Sequence, residues 1–312
     1  MTTTGAALAG LDGYLPRCRF PGPADGPVAL AVSGGPDSLA LLVLGAAAGL
    51  SGTAVHVDHG LRPGSESEAD VVADAARRWG FAFSAVRVHV DEGPDLEARA
   101  RRARYGALPR GALTGHTMDD QAETVLLNLM RGAGVDGLSG MRRSEAGPAG
   151  VSRPLLGLRR HDTEEVCRRA GLVPVRDPSN ADPRFRRNRV RAELIPLLER
   201  IAGREVVPIL ARQAEVVAAD AELLDRLAQG LDPTEVATMR AVPRPLAHRA
   251  VRAWLRAGPG HHPPSAAEVD RVMEVVEGRA VACEVSGGRR VARRAGRLTI
   301  LPAQPHREEE AP

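Results

Sequence analysis

VALAVSGGPDSLALLVLGAAA, residues 28–48, joins five apolar or small residues of strand type to a six-residue turn and then to an apolar helix. The turn, Ser33-Gly34-Gly35-Pro36-Asp37-Ser38, has the composition of a phosphate-sized loop. Glycines at 34 and 35 can take positive φ and let a ligand approach the backbone, and the helix start behind them favours an anion. Other strand-to-helix turns carry no ligand, but paired serines, paired glycines and an aspartate are unusual in a plain turn.

The chain has no lysine, so all 42 basic residues are arginine. A Walker A loop is therefore impossible, as is a Schiff-base lysine for pyridoxal-phosphate chemistry or the strand lysine of protein kinases. The turn resembles instead the SGGxDS pyrophosphate loop of the N-type ATP pyrophosphatases, enzymes that cleave ATP to AMP and pyrophosphate to activate an oxygen.

A length of 312 residues suggests about two domains. Hydrophobic residues make up 43% and aromatic residues 3%, so the core must rest on Ala, Val and Leu. The net charge of +3 is too small to argue for nucleic acid by itself, and local clusters must carry that argument. Cys18, Cys167 and Cys283 are far apart, which argues against a disulfide framework or a close-spaced metal motif. No apolar run reaches about 18 residues and no signal-peptide pattern opens the chain, so the expectation is a cytoplasmic protein with no membrane partner.

Outward from the loop, residues 53–57 read as a second strand leading into His56-Val57-Asp58-His59-Gly60, residues 67–79 as a helix and 81–90 as a third strand. A helix from Asp95 carries Arg99, Arg101, Arg102 and Arg104, and residues 112–115 form a short fourth strand. Repeated strand, loop and helix units of about 25 to 35 residues imply an α/β, doubly wound parallel sheet with ligands beyond the carboxyl ends of its strands. The loops at 33–38, 56–63 and 115–123 then meet at one edge.

The helix opening at His116-Thr117-Met118-Asp119-Asp120 places Met118, Ala122, Val125, Leu126 and Leu129 on one face, with Asp120 and Glu123 nearly opposite. Those carboxylates face away from the core, in a turn where the helix dipole favours their ionised form. A solvated acidic first turn has the same pattern; what separates the two is the place of this turn after a strand of the loop-bearing sheet. Residues 132–150 read as a mobile glycine-rich segment and 159–170 as a helix. Arginines 186, 187, 189 and 191 then enter another helix, either as a solvated face or as phosphate ligands.

The expected organisation is a catalytic domain over 1–205, a connecting helix over 206–230, a small domain over 231–302 and a disordered tail over 303–312. The small domain reads as mainly helical with a terminal β-meander, whose arginines at 289, 290, 293, 294 and 297 are a phosphate-contact surface or an ordinary charged sheet face.

Taken together, SGGPDS, HVDHGLRPGSESEA, RARY, GHTMDDQAET, RPLL and RDPSNADPRFRRNRVR resemble the tRNA(Ile)-lysidine synthetase family over residues 28–200. The resemblance implies a ligase that adenylates O2 of the wobble cytidine in a CAU-anticodon isoleucine tRNA, after which the amine of free L-lysine displaces AMP. ATP and Mg2+ are the implied cofactors, and a homodimer is compatible with it.

Residue by residue, the resemblance implies that Ser33, Gly34, Gly35, Pro36, Asp37 and Ser38 hold ATP, with adenine near His56 and Val57. Asp37 and Asp120 are the implied magnesium ligands. Glu123 is the third catalytic residue, orienting the incoming amine or taking its proton. His116 contacts phosphate or merely caps its helix. Arg104, Arg153, Arg187, Arg189 and Arg191 are implied contacts to nucleotide or tRNA phosphates, and Asn180 contacts the base or closes its own turn. Gly115 stands where alanine is usual, a difference expected to touch packing rather than chemistry. The chain also reads as a short form, without the further C-terminal domain of longer members.

The alternatives are a tRNA thiolase of the same superfamily and a non-catalytic nucleotide- or RNA-binding protein. Scattered cysteines speak against the first, and intact Asp37, Asp120 and Glu123 against the second. A glutamine amidotransferase is disfavoured because no cysteine stands near the N-terminus.

Overall fold

Alternation along the strands sets the architecture, because each neighbouring pair of side chains must be buried on opposite faces. The structure is a computed structural model that describes residues 10–58, 66–89, 96–144, 150–175, 182–257 and 264–301. It falls into two compact units, 1–218 and 219–312.

The first unit runs β1 (Val28–Ala31), α1 (Pro36–Ala47), β2 (Gly52–Asp58), α2 (Glu66–Arg78), β3 (Ala82–Arg87), α3 (Leu96–Ala107), β4 (Ala112–Thr114), α4 (Met118–Met130), the one-turn α5 (Val135–Leu138) and β5 (Val151–Ser152). All five strands are parallel, in the order β3-β2-β1-β4-β5. Leu30 and Ala54 point into a core with Leu39 and Leu42 of α1, Val72 and Ala76 of α2, and Val166 from the next helix. Ala29, Ala31, Val55 and Val57 point the other way, toward Leu108 beyond α3. Covering both faces is what a parallel sheet of near-continuous apolar strands requires. The doubly wound parallel sheet expected from the sequence is therefore what forms.

β5 is the one strand that periodicity does not reveal. Two residues are too short to show a period, and the segment before it reads as glycine-rich loop. Past it come α6 (Arg160–Arg169), the one-turn α7 (Arg186–Arg189), a wide π turn (Val190–Leu194), α8 (Ile195–Ala202) and α9 (Val207–Gln229). Val190, Ile195 and Val207 close over Ala122 and Leu126, so the first turns of the apolar face expected on α4 are buried, whereas Leu129 at its far end is exposed. The boundary between the units falls within α9.

The second unit contains α10 (Val236–Ala241), α11 (Arg244–Arg256), α12 (Ala266–Glu277) and the antiparallel meander β6 (Ala282–Val285), β7 (Arg289–Arg294) and β8 (Arg297–Leu301). Val251 and Leu255 of α11 and Val269, Val272, Met273 and Val276 of α12 pack on Val285, Val291 and Leu298 of the sheet. Gly287 and Gly288 both take positive φ in the three-residue turn Ser286-Gly287-Gly288 that joins β6 to β7. Of the stretches singled out in the sequence, residues 59–65, Asn180 within 176–181, and the tail beyond 301 lie outside the described residues.

Candidate active site

The loop after β1 builds its own scaffold before it can receive a ligand. Gly34 sits at φ +86°, a left-handed conformation that a side chain resists, and its carbonyl accepts from Val175 N at 2.9 Å. Ser38 Oγ donates to Gly35 O at 2.9 Å and accepts from Ser33 N at 3.1 Å. That hydroxyl hydrogen is committed to the shape of the turn, and Gly35 stands as the N-cap of α1. The loop therefore presents a helix N-terminus of 12 residues to the space beyond the strand ends.

That space is a cavity of about 960 Å³, lined by Ser33, Gly35 and Asp37 of the loop, Val55 and Val57 of β2, and His116, Asp120, Arg104 and Arg187. The loops after β1 and β4 meet at this edge beside Val55 and Val57 of β2, while the loop after β2 lies outside the described residues. Gly115 lies hard against the first of these loops: a Cβ there would lie 2.6 Å from the carbonyl oxygen of Asp37. The packing difference expected at position 115 thus bears on the backbone of the loop itself.

Carboxylates and guanidiniums interlock here: Asp37, Asp120, Arg160, Arg187 and Arg191 line the cavity, and Glu123 is buried behind them, not lining it. Asp120 closes a capping box, with Oδ2 accepting from Thr117 N at 2.9 Å, while Oδ1 meets Arg160 Nη2 at 3.3 Å and Arg187 Nη2 at 3.1 Å. Burial opposes its ionisation, but His116, Arg187 and Arg160 outweigh that and hold the carboxyl down at about 2. Asp37 is the contrary case: burial, and then the negative Asp120, push it up to about 6 against the hydrogen bond from Thr163 and the charge of Arg160. Thr163 Oγ1 reaches Asp37 Oδ1 at 2.5 Å, and Arg160 Nε lies 3.7 Å from Oδ2.

Glu123 is 0% exposed. Its oxygens accept from Arg187 Nε and Arg191 Nε, both at 2.7 Å, and from Arg160 Nη1 at 3.3 Å. A solvated acidic first turn is thereby excluded: both carboxylates face away from the apolar core of α4, yet into an arginine cluster rather than water.

Of the residues singled out, Ser33, Gly35, Pro36, Asp37, Ser38, Val57, His116, Asp120, Arg104, Arg187 and Arg191 line the cavity. Gly34 shapes the loop from behind. His56 is not brought to it. It is buried on the opposite face of β2 from Val55 and Val57, with Nδ1 3.0 Å from Val32 O, because strand alternation turns every second side chain away. Arg153 is 2% exposed and donates Nη1 to Arg142 O at 2.7 Å, so it braces the segment before β5 and is not at a surface. Arg189 pairs with Glu193 four residues on, outside the cavity.

Sequence reasoning missed Arg160 and Thr163. Arg160 contacts Asp37, Asp120 and Glu123, joining three carboxylates from two other helices. A polar helix start, Arg160-His161-Asp162-Thr163, was a visible signal, but the packing of α6 across the start of α1 was not; Cys167 Sγ lies 3.3 Å from Pro36 O. Burial pushes the Cys167 thiol up to about 12, so it stays protonated in the cavity wall. Among the described residues no group of three or more His, Cys, Asp or Glu is arranged to hold a metal ion, and no helix is long and apolar enough to cross a membrane.

Comparison with known proteins adds an independent line. Residues 21–198 match the PP-loop domain family. The chain is 46% identical over 241 residues to a tRNA(Ile)-lysidine synthase of Mycolicibacterium paratuberculosis, across 73% of this chain and 74% of that protein. It is 45% identical over 309 residues to a tRNA(Ile)-lysidine synthase of Salinispora tropica, across 89% and 92%. Among solved structures, the U34-tRNA thiolase NcsA of Methanococcus maripaludis aligns at TM-score 0.45 and 17% identity, over 66% of this chain and 73% of that one.

Proposed function

Since the chain belongs to the PP-loop family and within it to the tRNA(Ile)-lysidine synthases, we propose that its cavity adenylates O2 of the wobble cytidine of a CAU-anticodon tRNA(Ile) and passes that carbon to the amine of free lysine. The observation that carries the residue-level reading is the meeting of the loop at 33–38, Asp37, Asp120 and His116 around one cavity.

In this reading, cytidine O2 attacks the α-phosphorus, pyrophosphate leaves, and the amine then displaces AMP from C2 with loss of a proton. The backbone N–H groups of the loop and the start of α1 hold the departing pyrophosphate, where charge grows in the transition state. Val55 and Val57 give adenine an apolar wall, while Ser38 serves the loop rather than the ligand.

Magnesium suits the site. Asp37 and Asp120 are the hard oxygen donors that would hold it: burial and then the negative Asp120 raise Asp37, and a bound cation would offset both. Bound there, the ion would neutralise charge on the phosphate oxygens. Glu123 orients the amine through the guanidiniums it holds, since its own oxygens are engaged by Arg160, Arg187 and Arg191. Arg104 and the cavity-lining Arg187 and Arg191 are the proposed phosphate contacts. The second unit is the proposed tRNA-binding domain, and the site of action is the cytoplasm.

Cys167 is the one cysteine lining this cavity among the described residues, with Cys18 and Cys283 elsewhere, and a lone cysteine disfavours sulfur transfer there. The test is to measure AMP and pyrophosphate while omitting ATP, magnesium, lysine or tRNA in turn. Both products are expected only with all four, with lysine added to the wobble cytidine by mass spectrometry of the tRNA. Equal turnover without lysine, or incorporated sulfur, overturns the reading.

A further inference from the structure

His116 stands at the cavity with both ring nitrogens engaged. Nδ1 lies 2.9 Å from Thr114 Oγ1, and Nε2 lies 3.4 Å from the hydroxyl of Tyr105. Thr114 is 6% exposed, and its Oγ1 also lies 3.2 Å from the carbonyl oxygen of Ser152. That carbonyl belongs to β5, whose Ser152 pairs in register with Leu113 of β4.

One assignment of hydrogens satisfies all three contacts at once. A carbonyl only accepts, and a threonine hydroxyl has one hydrogen to give. With that hydrogen on Ser152 O, Thr114 Oγ1 meets the ring as an acceptor, so Nδ1 must carry a hydrogen. A ring protonated at Nδ1 leaves a lone pair on Nε2, the atom that the Tyr105 hydroxyl can donate to. All three contacts then run one way: Tyr105 O–H to Nε2, Nδ1–H to Thr114 Oγ1, and Thr114 O–H to Ser152 O.

We propose that Thr114 is the positioning residue of His116: it fixes the Nδ1–H tautomer and the ring plane, so that Nε2, on the Tyr105 side, is the nitrogen that can donate to a phosphate of the bound nucleotide once it is protonated. The proposal rests on the reading of the cavity as the adenylation site. It also assigns a purpose to β5, which is only two residues long: it supplies the carbonyl that orients the hydroxyl. Nε2 so presented accepts from a hydroxyl, or, with a proton added, donates to a phosphate oxygen. A free choice of tautomer would let the ring offer either, and half the orientations would face the cavity with the wrong atom.

The test uses the full chain labelled with 15N-histidine, comparing wild type with Thr114→Val, Thr114→Ala and Thr114→Ser. The His116 ring signals are assigned by their loss in His116→Asn. Wild type and Thr114→Ser are expected to show the Nδ1–H pattern in long-range 1H–15N spectra, and Thr114→Val to lose it. Turnover in the four-component assay should fall at least about tenfold in Thr114→Val, mainly in kcat, and recover in Thr114→Ser. Thr114→Ala, which removes the hydroxyl without adding a methyl, must behave as Thr114→Val does. An Nδ1–H pattern retained in both hydroxyl-free variants overturns the proposal, as does an altered tautomer with wild-type turnover. Full turnover in His116→Asn would overturn the place of His116 in the site, a failure that the spectra distinguish from failure of the Thr114 link.

Discussion

Replacing Glu123 by glutamine tests the floor of the site directly. The two side chains match in size, so no cavity opens, and what changes is charge. Glu123 is wholly buried and accepts from three guanidiniums. Glutamine leaves those cations facing one another and turns an NH2 toward one of them. Removing one partner of a buried ion pair costs about 3–5 kcal/mol, mostly from the uncompensated charges left behind. Here the arginine side chains keep 20%, 25% and 33% of their exposure, so solvent softens the repulsion and the lower end applies, about 3 kcal/mol.

For a unit of this size about 2–4 °C is lost per kcal/mol, so the melting temperature of Glu123→Gln should fall by about 6–12 °C. Adding Arg191→Met removes one stranded cation and should return about 1–2 kcal/mol, a coupling that only neighbours in one network show. Thermal unfolding followed by circular dichroism reads both. A single variant melting within about 2 °C of wild type, or a double variant whose losses simply add, would refute the interlocked floor.

Gly115→Ala would set a Cβ 2.6 Å from Asp37 O and 2.7 Å from Asp37 C, so the loop must shift, and turnover should fall about 10- to 100-fold while the protein still folds; unchanged turnover refutes it. Asp37→Asn should abolish pyrophosphate release while ATP still binds weakly by equilibrium dialysis, and normal release would remove Asp37 from the metal role. In the second unit, Glu268 accepts from Ser265 N at 2.7 Å and Ser286 N at 2.6 Å and from both hydroxyls. Its bond from Ser286 is the largest influence holding it at about 2, below the usual 4.5. A carboxyl lowered in the folded state stabilises above its unfolded pKa and loses that contribution as pH falls toward the folded one. The stability gap between wild type and Glu268→Gln should thus be about 2 kcal/mol above pH 4.5 and vanish toward pH 2 in urea titrations; a gap constant with pH refutes it.

The loop, the sheet and the acidic turn were legible because each is local: φ-permissive glycines, apolar runs and a 100° repeat are written in neighbouring residues. The partners of that turn were not. Arg187 and Arg191 reach Glu123 across 64 and 68 residues, and Arg160 across 37. Spacing still held part of the answer, since 187 and 191 are one helical turn apart and share a face, while Arg189 between them turns outward to Glu193. His56 failed for a similar reason in a strand. Its neighbours Val55 and Val57 line the cavity, so a period of two already turned it away. Arg153 was implied as a phosphate contact by the resemblance, and its carbonyl partner, Arg142 O, belongs to a segment that reads as loop.

The absence of lysine gives the floor its character. An ammonium can lose its proton when buried, whereas a guanidinium keeps its charge at any working pH. Arg160, Arg187 and Arg191 therefore remain cations. Asp120 is held ionised by His116, Arg187 and Arg160, while burial and then the negative Asp120 push Asp37 up toward neutrality. The planar fork of arginine fits a carboxylate and a phosphate equally well. What separates them is charge, because a triphosphate attracts a guanidinium more strongly than a single carboxylate does. Side chains engaged with Asp120 and Glu123 are thus already matched in shape to the nucleotide, and the same geometry that stabilises the floor prepares it for phosphate.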